Sequence, residues 1–416
     1  MHYMKSLVPQ RVKNVYHFAQ AVLANVWYGF PSRKLRIIGV TGTDGKTTTV
    51  QLIARIFEEA GQKVALASTI NFKIGDKEWV NTSKYTTLGS FATQKFLKQA
   101  AQEKCDVVIV ETGSHALDQY RVWGIAYAVA VITNVTREHL DYHKTMERYR
   151  RAKKRLFGQA KVAVVNLDME NPEEFLEGNY EKRITYSMQD PSAAVLAHDI
   201  ALRLEGSTFQ IEQQAFELAL PGMFNVENAL AAIGVGVASD ISLDIMAKAL
   251  KKVTGVPGRM EKVSNARGLE ILIDYAVTPN ALEKLYSLVS TMRPRKTSQI
   301  IAVLGACGER DRGKRPIMGE IVSSYADIVI LTNEDPYHES PQRIISEIAR
   351  GVTGKKRGKN YFYILNRKKA IAKALKLAQE SDIIVITGKG AEETMAIGEE
   401  RIPWNDKRVV EELLNA

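Results

Sequence analysis

The segment GVTGTDGKTTT (residues 39–49) follows an apolar run and opens a helical pattern, Thr47 to Ala60, which Gly61 terminates. Strand, glycine loop and helix in that order are what a phosphate-binding loop requires. Glycines let backbone N–H groups face phosphate oxygens, and the helix N-terminus adds a favourable dipole. Lys46 is placed to neutralise β- and γ-phosphates, and the Thr47 hydroxyl to ligate Mg²⁺. The spacing is not the standard one, since Val40 takes the outer glycine position between Gly39 and Thr41 and the next glycine is Gly42. Two further residues can complete a metal site. Glu111 ends the apolar run VVIVE, where an unpaired carboxylate is costly. His139, in TNVTREHLDYH, is one of seven histidines. Each alone reads as a structural strand-end residue, and a phosphate loop on the same edge turns both into candidate ligands.

These residues need elements to hold them. Short β-branched runs alternate with helical stretches, which predicts a parallel α/β architecture. In the first half the runs are Arg36–Val40, Val64–Ile70, Asp106–Glu111, Ala128–Val135 and Lys161–Leu167; in the second they are Leu269–Tyr275, Gln299–Ala306, Asp327–Thr332, Tyr361–Leu365 and Asp382–Thr387. Between them, Ala201–Leu220 alternates and predicts antiparallel strands, followed by a helix over NVENALAAIGVGVASD. VTGVPGRMEKV marks a junction near residue 258. The expected organisation is an N-terminal helical segment (1–35), a phosphate-loop domain with a parallel sheet (36–258) and a Rossmann-like α/β domain (259–416). Ligands of open parallel sheets bind outside the carboxyl ends of the strands. Polar residues gather there in both halves, so a ligand is expected in the cleft between them.

Composition narrows the class. The chain has 416 residues, 57 Lys+Arg against 47 Asp+Glu, and 45% apolar residues, the profile of a folded domain protein with a bias toward anionic partners. Two cysteines, Cys105 and Cys307, rule out a disulfide scaffold or zinc ribbon and suit a reducing, cytoplasmic compartment. No apolar run is long enough to span a membrane. No basic run carries interleaved aromatics, which argues against nucleic acid. The N-terminus reads as an amphipathic helix with Val15, Phe18, Val22 and Val26 on its apolar face, docked on the body or, in the alternative, lying on a membrane surface.

GVTGTDGKTTT, ETGSHAL, TNVTREHLDYH, AKKRLF, LPGMFNVENALAAI, GVPGRME, DYAVTPNALE, GERDRGKRP, NEDPYHESP, GKGAE and IPWND occur in that order. Together they resemble the Mur ligase family, and within it the branch that adds the third amino acid of the peptidoglycan stem. The resemblance implies a central ATPase domain and a C-terminal Rossmann-like domain. It also implies ATP-dependent amide formation with Mg²⁺, in which a carboxylate becomes an acyl phosphate that an amine attacks. The substrates would be a muramyl peptide, or a related acidic acceptor, and a free amino acid. By motif, Gly42, Thr43, Asp44, Gly45, Lys46, Thr47 and Thr48 would hold the triphosphate. Thr47 and Glu111 would bind one Mg²⁺, and His139 with a carbamylated Lys153 a second. Asn228 would contact adenine, Arg259 and Asp274 phosphate and ribose, and Lys314 and Arg315 the phosphates. Thr86, Thr87, Gln119 and Arg121 match the positions around the muramyl dipeptide. Arg310, Glu334, Asp335, Pro336, Tyr337, Gly388 and Glu392 match those around the incoming amino acid.

Departures bear on substrate choice. About 35 residues precede the phosphate-loop strand, so the expectation is that the uridine-nucleotide domain is missing and that other domains or a partner supply its contacts, or that the acceptor carries no UDP. Tyr85 and Leu88 flank Thr86-Thr87 in place of Asn and Pro, and Gly113 replaces a serine. Glu138 replaces an aspartate, and Val277 and Ala391 replace histidines. The amino-acid loop reads Glu334-Asp335-Pro336-Tyr337 where enzymes choosing diaminopimelate resemble Asp-Asn-Pro-Arg. Without the arginine a bidentate carboxylate clamp is lost, which favours a basic amino acid. Competing readings are a ligase for another acidic acceptor (folate polyglutamate or cyanophycin type), a phosphate-loop ATPase without ligation, and a binding protein that has lost catalysis.

Overall fold

The computed structural model describes residues 10–203 and 205–415; residues 1–9 of the expected N-terminal segment lie outside them. The chain divides into two compact units, one formed by 1–136 with 145–254, the other by 137–144 with 255–416.

The first unit is built on a nine-stranded sheet. Its strands are β1 (Arg36–Thr41), β2 (Val64–Ala67), β3 (Asn71–Ile74), β4 (Lys77–Val80), β5 (Val107–Glu111), β6 (Tyr127–Ile132), β7 (Ala160–Asn166), β8 (Lys182–Ser187) and β9 (Val195–Leu196). They lie in the order β4-β3-β2-β5-β1-β6-β7-β8-β9. From β2 to β9 every pairing is parallel, and β3 and β4 add antiparallel at the edge. Strands buried on both faces need apolar side chains throughout, and Ile37, Ile38, Val40, Val107, Val108 and Ile109 are all inaccessible. Helices Lys46–Glu59 and Met223–Ala238 pack together, and Phe96, Leu97, Tyr149, Leu156 and Phe157 from Ser90–Gln102 and Met146–Phe157 join the apolar core of the sheet. The expected antiparallel strands are β10 (His198–Arg203), β11 (Gly206–Ile211) and β12 (Gln214–Leu218), a separate three-stranded sheet.

The second unit carries a six-stranded sheet of β13 (Glu261–Lys262), β14 (Glu270–Asp274), β15 (Ile300–Leu304), β16 (Ile328–Leu331), β17 (Tyr361–Tyr363) and β18 (Ile383–Thr387), ordered β13-β14-β18-β15-β16-β17. Only β13 is antiparallel. A hairpin of β19 (Thr394–Ile397) and β20 (Glu400–Pro403) follows. The α/β class read from the sequence is the class found.

One expectation is corrected. Helix Gln10–Tyr28 is docked, but not by the face that the valines suggested. Ala21, Ala24 and Asn25 are fully buried, while Val15 and Val26 are 69% and 62% exposed. Small residues allow close approach to the helix Ser90–Gln102. Asn14 Nδ2 donates to Asp118, Asn25 Nδ2 donates to the Trp123 carbonyl at 2.8 Å, and Phe18 meets the Tyr120 and Trp123 rings edge-on. Periodicity alone could not choose between a narrow docking face and an apolar face opposite it.

Candidate functional site

In the first unit, β1 lies between β5 and β6 where the strand order reverses, the place at which open parallel sheets bind ligands. The loops leaving these three strands form one cluster. Gly45, at φ 82°, caps the helix Lys46–Glu59, and a Cβ there would stand 2.1 Å from Asn228 Oδ1. At Gly42 a Cβ would stand 1.8 Å from Thr133 Oγ1. Only glycine fits either position, so these two glycines of the motif are required by close packing. The loop is anchored by Asn134, whose carbonyl accepts from the Thr43 N–H and whose Oδ1 accepts from the Asp44 N–H, both at 2.9 Å. The Thr43 hydroxyl lies 3.1 Å from Tyr149 Oη. Lys46 Nζ donates to the Gly42 and Thr43 carbonyls, so the lysine curls over the loop it belongs to. Thr48 is buried in the first helical turn.

Glu111, at the end of β5, is 1% exposed. Its carboxylate accepts from Thr47 Oγ1 at 3.1 and 3.2 Å, from the Thr69 N–H at 2.7 Å and from Thr69 Oγ1 at 2.9 Å. Its own carbonyl accepts from Thr87 Oγ1 at 2.9 Å. Thr87 Oγ1 also accepts from the Gly113 N–H, and the Thr87 carbonyl accepts from Arg121 Nη1 at 2.7 Å. Thr69 Oγ1 reaches Thr86 Oγ1 at 3.2 Å, and the Arg121 guanidinium lies over the Tyr85 ring at 5.8 Å. Gln119 ends the short helix Ser114–Asp118 just before this arginine. One residue thus joins the phosphate loop to the residues expected around the acceptor. Oxygen donors from Thr47 and Glu111 make a set that suits a hard dication. Lys153 is 1% exposed, donates to the Gly42 carbonyl at 2.5 Å and lies 4.3 Å from the Tyr149 ring centre. Its neighbour Lys154 is a surface residue paired with Glu177. A buried lysine at the loop is not the solvated lysine that its basic run suggests.

Asn228 is buried; its Oδ1 lies against Gly45, 3.5 Å from Thr49 Oγ1. It braces the start of the loop helix. His139 groups with the second unit, in a left-handed conformation (φ 57°) before the short helix Leu140–His143. Beside it, Glu138 pairs with Lys314 at 2.7 Å, both buried. Arg315 is fully buried between Glu339 and Glu347, at 2.7 and 2.6 Å, so its charge is neutralised within the unit. The hydrogen bonds that Arg315 donates to it hold the Glu339 carboxyl below its ordinary value.

The other strand ends of the second unit converge as well. Asp274, closing β14, accepts from the Met260 and Ala276 N–H groups at 2.7 Å. The Arg259 guanidinium lies 4.5 Å from the Tyr275 ring centre. Gly258, at φ 66°, packs so closely on Gly390 and Ala391 that a Cβ would meet backbone at 2.0 Å. After β16, Asp335 receives Lys389 Nζ at 2.9 Å on both oxygens and the Ala396 N–H at 2.7 Å, and Lys389 also pairs with Glu392. Asp335 is therefore occupied, and the acidity of this loop is carried by Glu334 alone. Glu334 is 3% exposed, and its Oε2 has no hydrogen-bond partner among the described residues. Burial and the neighbouring Asp335 push its carboxyl up to about 7. A Cβ on Gly388 would stand 2.5 Å from that oxygen, which explains glycine there. Tyr337, left-handed at φ 49° after Pro336, bridges to Ile397 and lies between two guanidinium groups, Arg310 at 5.7 Å and Arg401 at 5.2 Å. Burial raises its hydroxyl to about 12, so it stays protonated.

Sequence reasoning passed over Thr69, Thr133, Tyr149 and Arg401. Thr69 follows β2 on the same carboxyl edge as Glu111, which is a usable signal; Tyr149 and Arg401 sit in elements whose contacts depend on long-range packing.

Residues 40–236 match the Mur ligase middle domain and residues 258–390 the Mur ligase glutamate ligase domain. The chain is 41% identical to the UDP-N-acetylmuramyl-tripeptide synthetase of Roseiflexus sp. (strain RS-1), over 95% of its own length and 81% of the relative's. It is 38% identical to a UDP-N-acetylmuramoyl-L-alanyl-D-glutamate–2,6-diaminopimelate ligase of Bacillus cereus, over 97% and 82%. A solved structure of an enzyme with that same name aligns at 34% identity and a TM-score of 0.61, covering 92% of this chain and 78% of the other. With both family domains matched in order along these two units, the chain belongs to the Mur ligase family.

Proposed function

We propose that this ligase joins an amino acid to a muramyl-peptide carboxylate at the expense of ATP, by way of an acyl phosphate, in cytoplasmic peptidoglycan precursor synthesis. The observation that carries the proposal is Glu111, which holds Thr47 of the phosphate loop by its side chain and Thr87 by its backbone. Nucleotide and acceptor sides thereby share one rigid support, as a reaction between γ-phosphate and carboxylate demands. The matches to the muramyl-tripeptide branch support this acceptor over the folate and cyanophycin types.

In this proposal the loop N–H groups of 42–48 cradle the triphosphate, and Lys46 leaves its carbonyl contacts to follow the transferring phosphoryl group. The acceptor carboxylate oxygen attacks the γ-phosphorus while the bond to the ADP oxygen breaks. Thr86, Thr87, Gln119 and Arg121 orient that carboxylate. The amine, after losing a proton, attacks the carbonyl carbon, and the tetrahedral intermediate expels phosphate to leave an amide. Thr47 and Glu111 would hold Mg²⁺, with His139 and a carbamylated Lys153 holding a second ion; when bound, these ions screen the phosphate charge and polarise the transferring group. Carbamylation of Lys153, buried at the Gly42 carbonyl, would put carboxylate oxygens there, which ligate a cation where a plain ammonium does not. Asn228 would meet adenine, Arg259 and Asp274 the ribose and phosphates, and Lys314 the phosphates. Val277, in place of a histidine, offers the nucleotide no hydrogen bond.

For the added amino acid, Glu334 supports a side chain ending in an ammonium group, since a cation would supply the partner that its buried oxygen lacks. Arg310, Pro336, Tyr337, Gly388 and Glu392 would line the same subsite. This favours lysine or a similar basic amino acid. One observation favours a second reading: Arg401 beside Tyr337 offers the guanidinium that the loop lacks, which suits diaminopimelate. Amino-acid-dependent phosphate release across a panel tests the proposal. Activity confined to diaminopimelate rejects the basic-residue assignment, and ATP hydrolysis needing neither acceptor nor amino acid rejects ligation.

A further inference from the structure

The helix Gln10–Tyr28 is apolar on the side away from the body. Val12, Val15, Tyr16, Ala19, Leu23, Val26 and Trp27 fall within an arc of about 120° at 100° per residue, and all seven are exposed, Trp27 at 77%. At 1.5 Å per residue the stripe is about 22 Å long. No charged residue interrupts it. A lone exposed apolar side chain is ordinary, but a continuous stripe of this size marks a contact surface. The opposite face is fixed to the first unit through Asn14, Phe18 and Asn25, so the stripe is preformed and needs no ordering on contact.

Charge selects the occupant. Before Asp44 the sequence holds six basic residues, Lys5, Arg11, Lys13, Arg33, Lys34 and Arg36, and no acidic one. Over the whole chain the excess is smaller in proportion, 57 against 47. A second copy would bring the same positive segment against itself, which like-charge repulsion disfavours. An anionic surface would gain from it. Lys13 borders the stripe, and Arg33 and Lys34, both exposed, follow the helix. The polar groups of the stripe are the Tyr16 hydroxyl, which accepts from Gln20, and the Trp27 indole N–H, and headgroups at a lipid boundary satisfy both without a directional partner. Trp and Tyr at its two ends are side chains that favour the headgroup boundary.

We propose that this helix rests on an anionic membrane surface, its axis parallel to the bilayer, with the 12–27 stripe among the upper acyl chains and Lys13, Arg33 and Lys34 at the headgroups. The binding is peripheral and independent of the ligation assigned above. No helix among the described residues is long and apolar enough to cross a membrane.

The full chain should co-sediment with vesicles of phosphatidylcholine containing roughly 30% phosphatidylglycerol at least tenfold more than with pure phosphatidylcholine, and less as salt rises. Leu23→Glu/Trp27→Glu places two carboxylates in the stripe without touching the docked face; it should lower vesicle binding at least tenfold while leaving the thermal midpoint and ligase turnover unchanged. Arg33→Gln/Lys34→Gln should weaken binding and flatten its salt dependence. Brominated lipid should quench wild-type tryptophan emission, and Trp27→Phe should still bind but lose most of that quenching. The proposal is overturned if the wild type stays in the supernatant, if the double glutamate variant sediments as before, or if that variant instead dissolves a dimer formed without lipid.

Discussion

Glu334 makes the proposed amino-acid subsite measurable through stability. Its carboxyl, ordinarily near 4.5, stands at about 7 because it is buried beside Asp335. A carboxyl raised in the folded state contributes stability that is complete below the unfolded value of 4.5 and is lost as pH rises through about 7. The displacement corresponds to about 3 kcal/mol at full ionisation. Glu334→Gln keeps the shape and cannot ionise. The variant should therefore match the wild type near pH 4.5, gain on it up to pH 7–8, and hold a constant lead of about 3 kcal/mol above that. For a domain of this size the lead is about 6–12 °C in the unfolding midpoint. Differential scanning calorimetry of both proteins from pH 4.5 to 9 reads it, and taking the difference cancels every other titrating group. Saturating basic amino acid should narrow the gap in the wild type, because a cation stabilises the ionised carboxyl, and its KM should fall as pH rises through about 7. Parallel midpoint curves for wild type and variant would refute the account of Glu334.

Other expectations concern the first unit and the hairpin. Lys46→Ala should lower kcat about a thousandfold with little change in thermal midpoint, since its contacts are to carbonyls of its own loop; near-normal acyl-phosphate formation would remove it from phosphoryl transfer. Glu111→Gln should raise the Mg²⁺ concentration for half-maximal activity at least tenfold and lower acceptor affinity less, as read by magnesium titration. Gly45→Ala should cost about 2–3 kcal/mol, because φ is 82° and the new Cβ meets Asn228 Oδ1; adding Asn228→Ala should return the steric part in a chemical denaturation series but not the backbone part. Arg401→Ala should leave turnover with lysine unchanged and raise KM for diaminopimelate if the second reading of the subsite holds.

The sequence carried the fold well where burial demands uniform chemistry. Strands with both faces covered must be apolar throughout, so β1, β5, β14, β15 and β18 stood out as runs of Val and Ile. The β3–β4 hairpin did not, because β4 is exposed along its length and its sequence, Lys77-Glu78-Trp79-Val80, lacks the alternation of a half-buried strand. Phosphate-loop glycines were legible because their spacing has a local mechanism. The state of Asp335 was not: its neutralisation by Lys389 joins residues 54 apart in sequence, and only the fold reveals that, of these two neighbouring carboxylates, Glu334 is the one with a buried oxygen lacking a hydrogen bond among the described residues. The N-terminal helix was legible, but its docking face was not, for a different reason. Its docked side uses Ala21, Ala24 and Asn25, small and polar residues that no hydrophobicity pattern selects, and of the residues that the pattern selects Val15 and Val26 face outward.

Product analysis tests the central claim most directly. Purified protein, ATP, Mg²⁺, UDP-muramyl-dipeptide and a mixture of amino acids should yield, by mass spectrometry, an acceptor heavier by one amino acid less water, with one ADP and one phosphate formed for each amide. Stoichiometric ATP hydrolysis that leaves the acceptor mass unchanged, and that proceeds equally without acceptor or amino acid, would contradict it.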